Sequence, residues 1–449
     1  MNERGLYWFG SDLRTADNSL LCQAAAECGA LACVYVLDQR WLASNRYQLR
    51  GMGAQRQRFL FETLADLRRQ LAAQGQTLWV FSGNPEKVIA ALVAQLQPTV
   101  IYRGEQVGWD EWRQWRALVH QSAPSLQWRS GWQHTLLQPA QLPFAIEQLP
   151  SSFTQFRRRV EPLAAATLVA TAQLPPPLAP DSVAAQVAAA SAAQLVDLVA
   201  PAVATSYDFN GGSAAAHRHL DGYFASELAS SYKQTRNALS DWSSSTKFSP
   251  WLALGAISPR QVAAAVAAYE QRCGANDSTY WIIFELLWRD YFQFYAYRYG
   301  AKLFAFGGIR QQPPLTSFYP QRFAAWCHGR SAYPLVNAAM NELRETGYLS
   351  NRLRQIVASC LVNELQLDWR YGAAFFEQQL LDYDVASNWG NWQYIAGVGA
   401  DPRGGRHFSI EKQTALYDPR GEYIARWRGE LGRSYGDAVD QVDWPRQLH

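Results

Sequence analysis

Four stretches of the chain carry residue types that bind or transform a ligand, at spacings that bring them together. In 280–300, YWIIFELLWRDYFQFYAYRYG, the residues Glu285, Trp288, Arg289 and Phe292 fall at i, i+3, i+4 and i+7. On a helix this places a carboxylate, an indole and a guanidinium on one face beside a ring. Such a face reads a flat heterocycle by stacking and hydrogen bonding; the alternative is an aromatic core stripe with an internal Glu285–Arg289 pair. In 348–370, Asn351, Arg354 and Gln355 share a face by the same spacing. Polar groups among apolar neighbours need partners, which a ligand or capping and surface pairing would supply. The segment 380–394, LLDYDVASNWGNWQY, sets Asp382, Asp384 and Asn388 ahead of Trp392 and Tyr394. Two acids two residues apart suit a metal, acid/base chemistry or helix N-capping, but no histidine or third carboxylate follows at ligand spacing. In 243–259, SSSTKFSPWLALGAISP, the residues Ser245, Thr246, Lys247, Phe248 and Ser249 precede a proline-led helix. That loop either seats a diphosphate or caps the helix.

A chain of 449 residues divides into two to four domains that position these groups. The first third alternates β-branched or aromatic runs (6–10, 31–37, 77–82, 99–103, 126–129) with amphipathic stretches (55–74, 85–95, 109–120). This pattern predicts a doubly wound α/β domain with a parallel sheet over 1–135. No G-x-G-x-x-G follows the first run, so the usual dinucleotide fingerprint is absent. From 163 the composition turns to Ala, Val, Gln and Pro, and 136–205 reads as an interdomain linker, extended at its proline run and helical in its Ala-rich part. The remainder, 206–449, has helical periodicity and predicts a larger all-α domain.

Composition narrows the function classes. The net charge of +3 is too small for a uniformly basic surface, so a polyanion partner must meet a local groove. Only five of the 41 basic residues are lysine, and arginine's planar fork suits phosphate and stacked bases, although a GC-rich genome yields the same bias. Eighteen Trp, 22 Tyr and 20 Phe can fill a core, stack on a planar cofactor or relay electrons. Six cysteines without C-x-x-C and seven histidines without H-E-x-x-H leave no metal site to expect. No signal peptide or unbroken apolar stretch of spanning length is visible, so the expected protein is a cytoplasmic monomer without a membrane anchor.

The ordered motifs TQFRRRVE (154–161), YKQTRN (232–237), STKFSPWLALG (245–255), FELLWRDYF (284–292), SNRLRQI (350–356), LLDYDVASNWGNWQY (380–394) and GVGADPR (397–403) resemble the photolyase/cryptochrome family, and its cryptochrome DASH branch most. The likeness runs from the first apolar run to YDPRGEYIARW (417–427), omitting the Ala/Pro-rich segment. It implies an α/β antenna domain and a helical domain that folds FAD into a U shape. By the resemblance, Tyr232 and the Ser245, Thr246, Lys247, Phe248, Ser249 loop hold the FAD phosphates with Arg289. Asn351, Asp382 and Asp384 contact the flavin and adenine regions, Arg354 pairs with Asp382, and Asn388 sits beside the flavin. A neutral amide there avoids the proton-attracting field of a carboxylate.

The family activity thus implied is light-driven electron transfer from reduced flavin to a flipped-out cyclobutane pyrimidine dimer. Glu285 hydrogen-bonds the damaged bases, Trp288 and Tyr394 flank them, and Asn351 with Gln355 lines the cavity. Arg403, Arg406, Arg157, Arg158 and Arg159 meet phosphates. Tyr394 stands where many duplex-acting photolyases have Trp, which points to lesions in single-stranded or locally unpaired DNA. Trp392 and Trp369 match the proximal and middle positions of the family's electron route, whereas Thr316 occupies the distal one, with Tyr319 or Trp326 as other exits. The resemblance also implies a 5,10-methenyltetrahydrofolate antenna, but Gln106 stands where the usual contact is Glu, with Glu105 adjacent. The alternatives are a blue-light photoreceptor with little repair, and an α/β nucleotide-binding module with a helical interaction domain and no flavin.

Overall fold

The computed structural model describes residues 3–204, 207–400 and 404–432. Arg403 and the expected boundary at 205/206 lie outside the described residues. Both expected architectures are present: a parallel sheet flanked by helices, then a helical domain.

Strands β1 (Glu3–Phe9), β2 (Cys28–Asp38), β3 (Leu78–Gly83), β4 (Val100–Gly104) and β5 (Gln127–Gly131) form a parallel array in the order β5-β4-β1-β2-β3. Alternate residues of a strand face opposite sides, and here both sides are covered, so β1 is apolar throughout its second half. Leu6 and Trp8 pack with Val88, Ile89 and Leu92 of the Pro85–Leu96 helix. Tyr7 and Phe9 pack with Leu60, Leu64 and Leu67 of the Ala54–Ala72 helix. The Pro85–Leu96 helix starts where it does because Asn84 accepts from the Lys87 N–H at 2.9 Å and proline leads the first turn.

The sheet has a sixth strand that the sequence reading does not anticipate. β6 (Gln194–Leu195) pairs antiparallel with β3 at the edge. It comes from the Ala/Pro-rich segment, much of which adheres to the α/β domain. Leu31 donates to the Pro176 carbonyl at 3.0 Å and Leu178 to that of Leu31 at 2.9 Å. Leu174 is buried, and the Ser182–Ser191 helix buries Ala184 and Val187. The scarcity of charge that resembles a linker is what permits this adhesion.

In the helical domain a 23-residue helix, Asp277–Tyr299, is the central rod. Asn276 caps it, accepting from Ser278 N at 2.8 Å and Thr279 N at 3.2 Å. It packs against the helices Leu228–Thr235 and Val385–Ile395. The stretch 348–370 contains a helix, Asn351–Ser359, that widens into a π turn at Cys360–Glu364, followed by a second helix beginning at Trp369. Asp368 caps that second helix by accepting from Arg370 N at 2.9 Å.

A buried polar seam joins the two domains. Arg260 meets Asp17 at 2.9 Å with both side chains almost wholly enclosed, and Ser258 donates to the same carboxylate at 2.5 Å. Arg14 donates to the carbonyls of Gly255 and Gln133 at 3.0 Å. Breaking such a pair leaves a buried charge uncompensated, at about 3–5 kcal/mol. Gly255 has φ +67°, and a Cβ there would lie 1.9 Å from the Ser11 carbonyl oxygen, so glycine sets the closeness of the domains.

Candidate functional site

One cavity of about 420 Å3, a volume usual for cofactor pockets, opens in the helical domain. It gathers Tyr232, Ser245, Thr246, Lys247, Phe248, Ser249, Glu285, Trp288, Arg289, Asn351, Arg354, Gln355, Asp382, Asp384, Asn388, Trp392 and Tyr394. These come from at least five separate chain segments that only the tertiary fold brings together. Trp369 does not line the cavity; it is fully buried.

At the inner wall, Arg354 Nη2 donates to Asp382 Oδ2 at 2.7 Å. The other Asp382 oxygen is buried and has no hydrogen-bond partner among the described residues. An unpaired buried acceptor costs about 1–3 kcal/mol, which a ligand donor would recover. Asp384 caps the Val385–Ile395 helix, accepting from Ser387 N at 2.7 Å, and also accepts from Gln293 Nε2 at 2.6 Å. The capping alternative therefore holds for Asp384 while the residue still faces the cavity. Asn388 donates through Nδ2 to the Ala373 carbonyl at 3.0 Å, leaving Oδ1 as its remaining acceptor.

The Ser245–Ser249 loop, residues 245–249, forms another wall. Lys247 is buried, and its Nζ donates to the Asp241 carbonyl at 2.9 Å and to Ser245 Oγ at 2.7 Å. Burial pushes its ammonium down to about 8. Its backbone has φ +53°, the left-handed region, which costs a non-glycine residue about 1–2 kcal/mol. An anion at this wall would favour the charged ammonium. Tyr232 is buried on the Leu228–Thr235 helix, with its hydroxyl pushed up by burial and then by Glu285.

At the mouth, Glu285 is paired differently from the expected internal contact. Its carboxylate meets Arg236 at 2.5 Å and accepts from Trp281 Nε1 at 3.1 Å. Burial raises the carboxyl, opposed chiefly by Arg236. Arg289 reaches the other way, donating to the His134 carbonyl of the α/β side and to the Leu252 carbonyl at 3.2 Å, with Asp384 at 3.9 Å. Trp288 stacks on Phe153 at 3.7 Å and meets Tyr394 edge-on at 6.2 Å. The Tyr394 hydroxyl accepts from Arg406. Arg352 donates to Gln355 Oε1 at 3.2 Å and to Asn237 Oδ1 at 3.1 Å. Arg236, Trp281 and Phe153 are the residues that sequence reasoning missed; Arg236 lay within the quoted YKQTRN motif, one helical turn after Tyr232.

Trp392 lies against Gly372, and its ring is 6.3 Å from that of Trp326. Trp326 is itself wholly buried among Phe323, Phe375 and Phe376. Trp369 donates to the Phe306 carbonyl at 3.0 Å, and its ring lies 5.8 Å from Trp389. Thr316 lines a separate, open groove with Phe306, Phe318, Asp368 and Tyr371. Tyr319 faces the Arg322 guanidinium at 4.2 Å.

In the α/β domain, β1 has β2 on one side and β4 on the other, so the crevice at their carboxyl ends is a topological switch point. Gln106 stands there, donating to the Gly104 carbonyl at 3.2 Å and accepting from Ser11 Oγ at 3.4 Å. Its amide is thus engaged by the protein. Glu105 is half-buried beside it, its carboxyl raised by burial. Among the described residues no helix is long and apolar enough to cross a membrane.

Residues 5–178 match the DNA photolyase family model and residues 281–447 match the FAD binding domain of DNA photolyase. A cryptochrome DASH of Idiomarina loihiensis is 48% identical, with 98% of this chain and 96% of the relative covered. A cryptochrome DASH of Vibrio parahaemolyticus is also 48% identical, over 98% of this chain and 97% of the relative. The crystal structure of a Synechocystis cryptochrome superimposes with a TM-score of 0.87 at 39% identity, covering 95% of this chain and 89% of that one.

Proposed function

Because the chain belongs to the photolyase/cryptochrome family, in its cryptochrome DASH branch, and carries that family's FAD-binding domain, we propose that it splits cyclobutane pyrimidine dimers in single-stranded DNA under blue light. The observation that carries this reading is a single cavity in which polar groups suited to a dinucleotide continue into an aromatic mouth suited to bases. FAD, held by these residues, would supply light-driven one-electron chemistry at the cavity.

The chain's own residues do the rest. Lys247, Ser245 and Ser249 would hold the diphosphate, whose charge keeps the Lys247 ammonium protonated despite its burial. The unpartnered Asp382 oxygen would accept from a ring N–H, with Arg354 keeping that carboxylate ionised and oriented. Asn388 would present a neutral acceptor beside the flavin ring, its orientation set by Ala373. Glu285, aligned by Arg236 and Trp281, would hydrogen-bond the damaged bases, while Trp288, braced by Phe153, offers a flat wall for stacking.

A dimer must leave its stack to reach this depth, and the cost is lower where the strand is unpaired. Tyr394 offers less ring area than an indole to offset that cost, which supports the single-strand preference. The test is repair of a dimer-containing oligonucleotide, single-stranded against duplex, by purified protein with reduced FAD under blue light. Restoration of the single strand alone supports the proposal. Equal repair of both removes the strand preference, and no repair at full FAD occupancy shifts the reading to a photoreceptor.

A further inference from the structure

We propose that His219, which does not line the cavity, is the positioning residue that turns the 245–249 loop into an anion seat; the inference rests on the reading that this loop holds the cofactor's diphosphate. His219 lies on the Ser213–Ala225 helix, boxed by three rings: Trp251 at 5.0 Å, Trp242 at 5.5 Å and Phe248 at 5.6 Å. From that box its Nε2 reaches the Thr246 carbonyl at 2.8 Å. A carbonyl only accepts, so Nε2 carries the proton and donates. Burial lowers the ring's affinity for a second proton, a direction that Lys247 reinforces.

The consequence follows from peptide geometry. The Thr246–Lys247 bond is trans, and in a planar trans peptide the carbonyl and the following N–H point opposite ways. Holding the Thr246 carbonyl at His219, which does not line the cavity, therefore turns the Lys247 N–H away from His219, and Lys247 itself lines the cavity. Lys247 at φ +53° is followed by Phe248 at φ −73°, ψ −17°, a left-handed residue next to a right-handed one. Consecutive N–H groups in such a turn converge into a concavity that takes an anionic oxygen. Among the described residues no backbone carbonyl accepts from the N–H groups of Lys247 and Phe248. Without the His219 tether the peptide can flip, relieving the left-handed strain at Lys247 and presenting a carbonyl oxygen to the phosphates instead.

The groups facing His219 make this tether specific. Thr246 presents its carbonyl, the Lys247 charge acts on the ring, and the aromatic rings already named box it in. Asp241 and Glu342 act on Lys247 and not on the His219 ring.

The experiment measures binding of FAD, riboflavin and inorganic pyrophosphate to apoprotein carrying His219→Phe, His219→Gln or Ser249→Ala. Phe keeps the packing and removes the donor; Gln restores a donor. We expect His219→Phe to weaken FAD about tenfold and pyrophosphate competition to a similar degree, with riboflavin binding and the apoprotein Tm unchanged. His219→Gln should recover most of the loss. FAD affinity that stays at the parent value in His219→Phe while Ser249→Ala weakens it overturns the role of His219 alone. If neither variant changes FAD affinity, the assignment of the loop to the diphosphate falls with it. An equal loss of FAD and riboflavin also overturns the proposal, since that is collapse of the pocket.

Discussion

Gly372→Ala tests whether Trp392 forms a wall of the cofactor site. Gly372 lies on the Trp369–Gln379 helix beneath the six-membered ring of Trp392. A Cβ placed there falls 2.2 Å from Cη2, 2.7 Å from Cζ3 and 2.8 Å from Cζ2. Carbon atoms rest at about 3.5–4.0 Å, so the indole must move by more than about 1 Å. Phe376, at 5.2 Å, and Trp326, at 6.3 Å, pack against the ring, while the cavity offers open space. The displacement is therefore directed into the space assigned to FAD. Overpacking costs about 1–3 kcal/mol, and Ala regains about 1 kcal/mol of helix propensity over Gly. The net loss is at most about 2 kcal/mol, a Tm fall of no more than about 8 °C for a domain of this size. FAD affinity should fall by at least about tenfold, or roughly 1.4 kcal/mol. The assay pairs the FAD-to-protein ratio of purified protein with melting curves taken with and without added FAD. A variant that folds and keeps full FAD at parent affinity refutes the assignment of Trp392 to the cofactor wall.

Three further outcomes are expected. Glu285→Ala should lower repair by at least about tenfold while FAD stays bound, because the side chain lies at the mouth with Arg236; loss of FAD on purification would contradict this. Tyr394→Trp should raise repair of duplex lesions relative to single-stranded ones, read from the two rates under identical light. Glu342 accepts from Tyr207 at 2.5 Å and from Tyr423, and burial pushes its carboxyl from 4.5 up to about 7. An acid raised in the folded state contributes fully below pH 4.5 and loses that contribution as pH rises to 7. Glu342→Gln should therefore gain Tm relative to the parent at pH 8 compared with pH 5, and a pH-independent difference between the two proteins would count against the burial argument.

Periodicity in the chain already placed Glu285, Trp288, Arg289 and Phe292 on one helical face, because the 3.6-residue turn is a local property of the backbone. All four line the cavity. The alternation of apolar runs and amphipathic stretches likewise announced the parallel sheet, since strands buried on both faces must be apolar on both. The partners of those residues were not legible. Glu285 pairs with Arg236, 49 positions away, and Arg289 with the His134 carbonyl, 155 positions away. β6 arises inside a segment whose composition suggests a tether, because edge pairing depends on where β3 ends in space. The unpaired oxygen of Asp382, the left-handed Lys247 and the His219 contact are visible only in three dimensions. Local spacing decides which side chains share a face. Which distant group compensates each buried charge, and which polar atom is left for a ligand, depends on long-range packing that no short window of residues encodes.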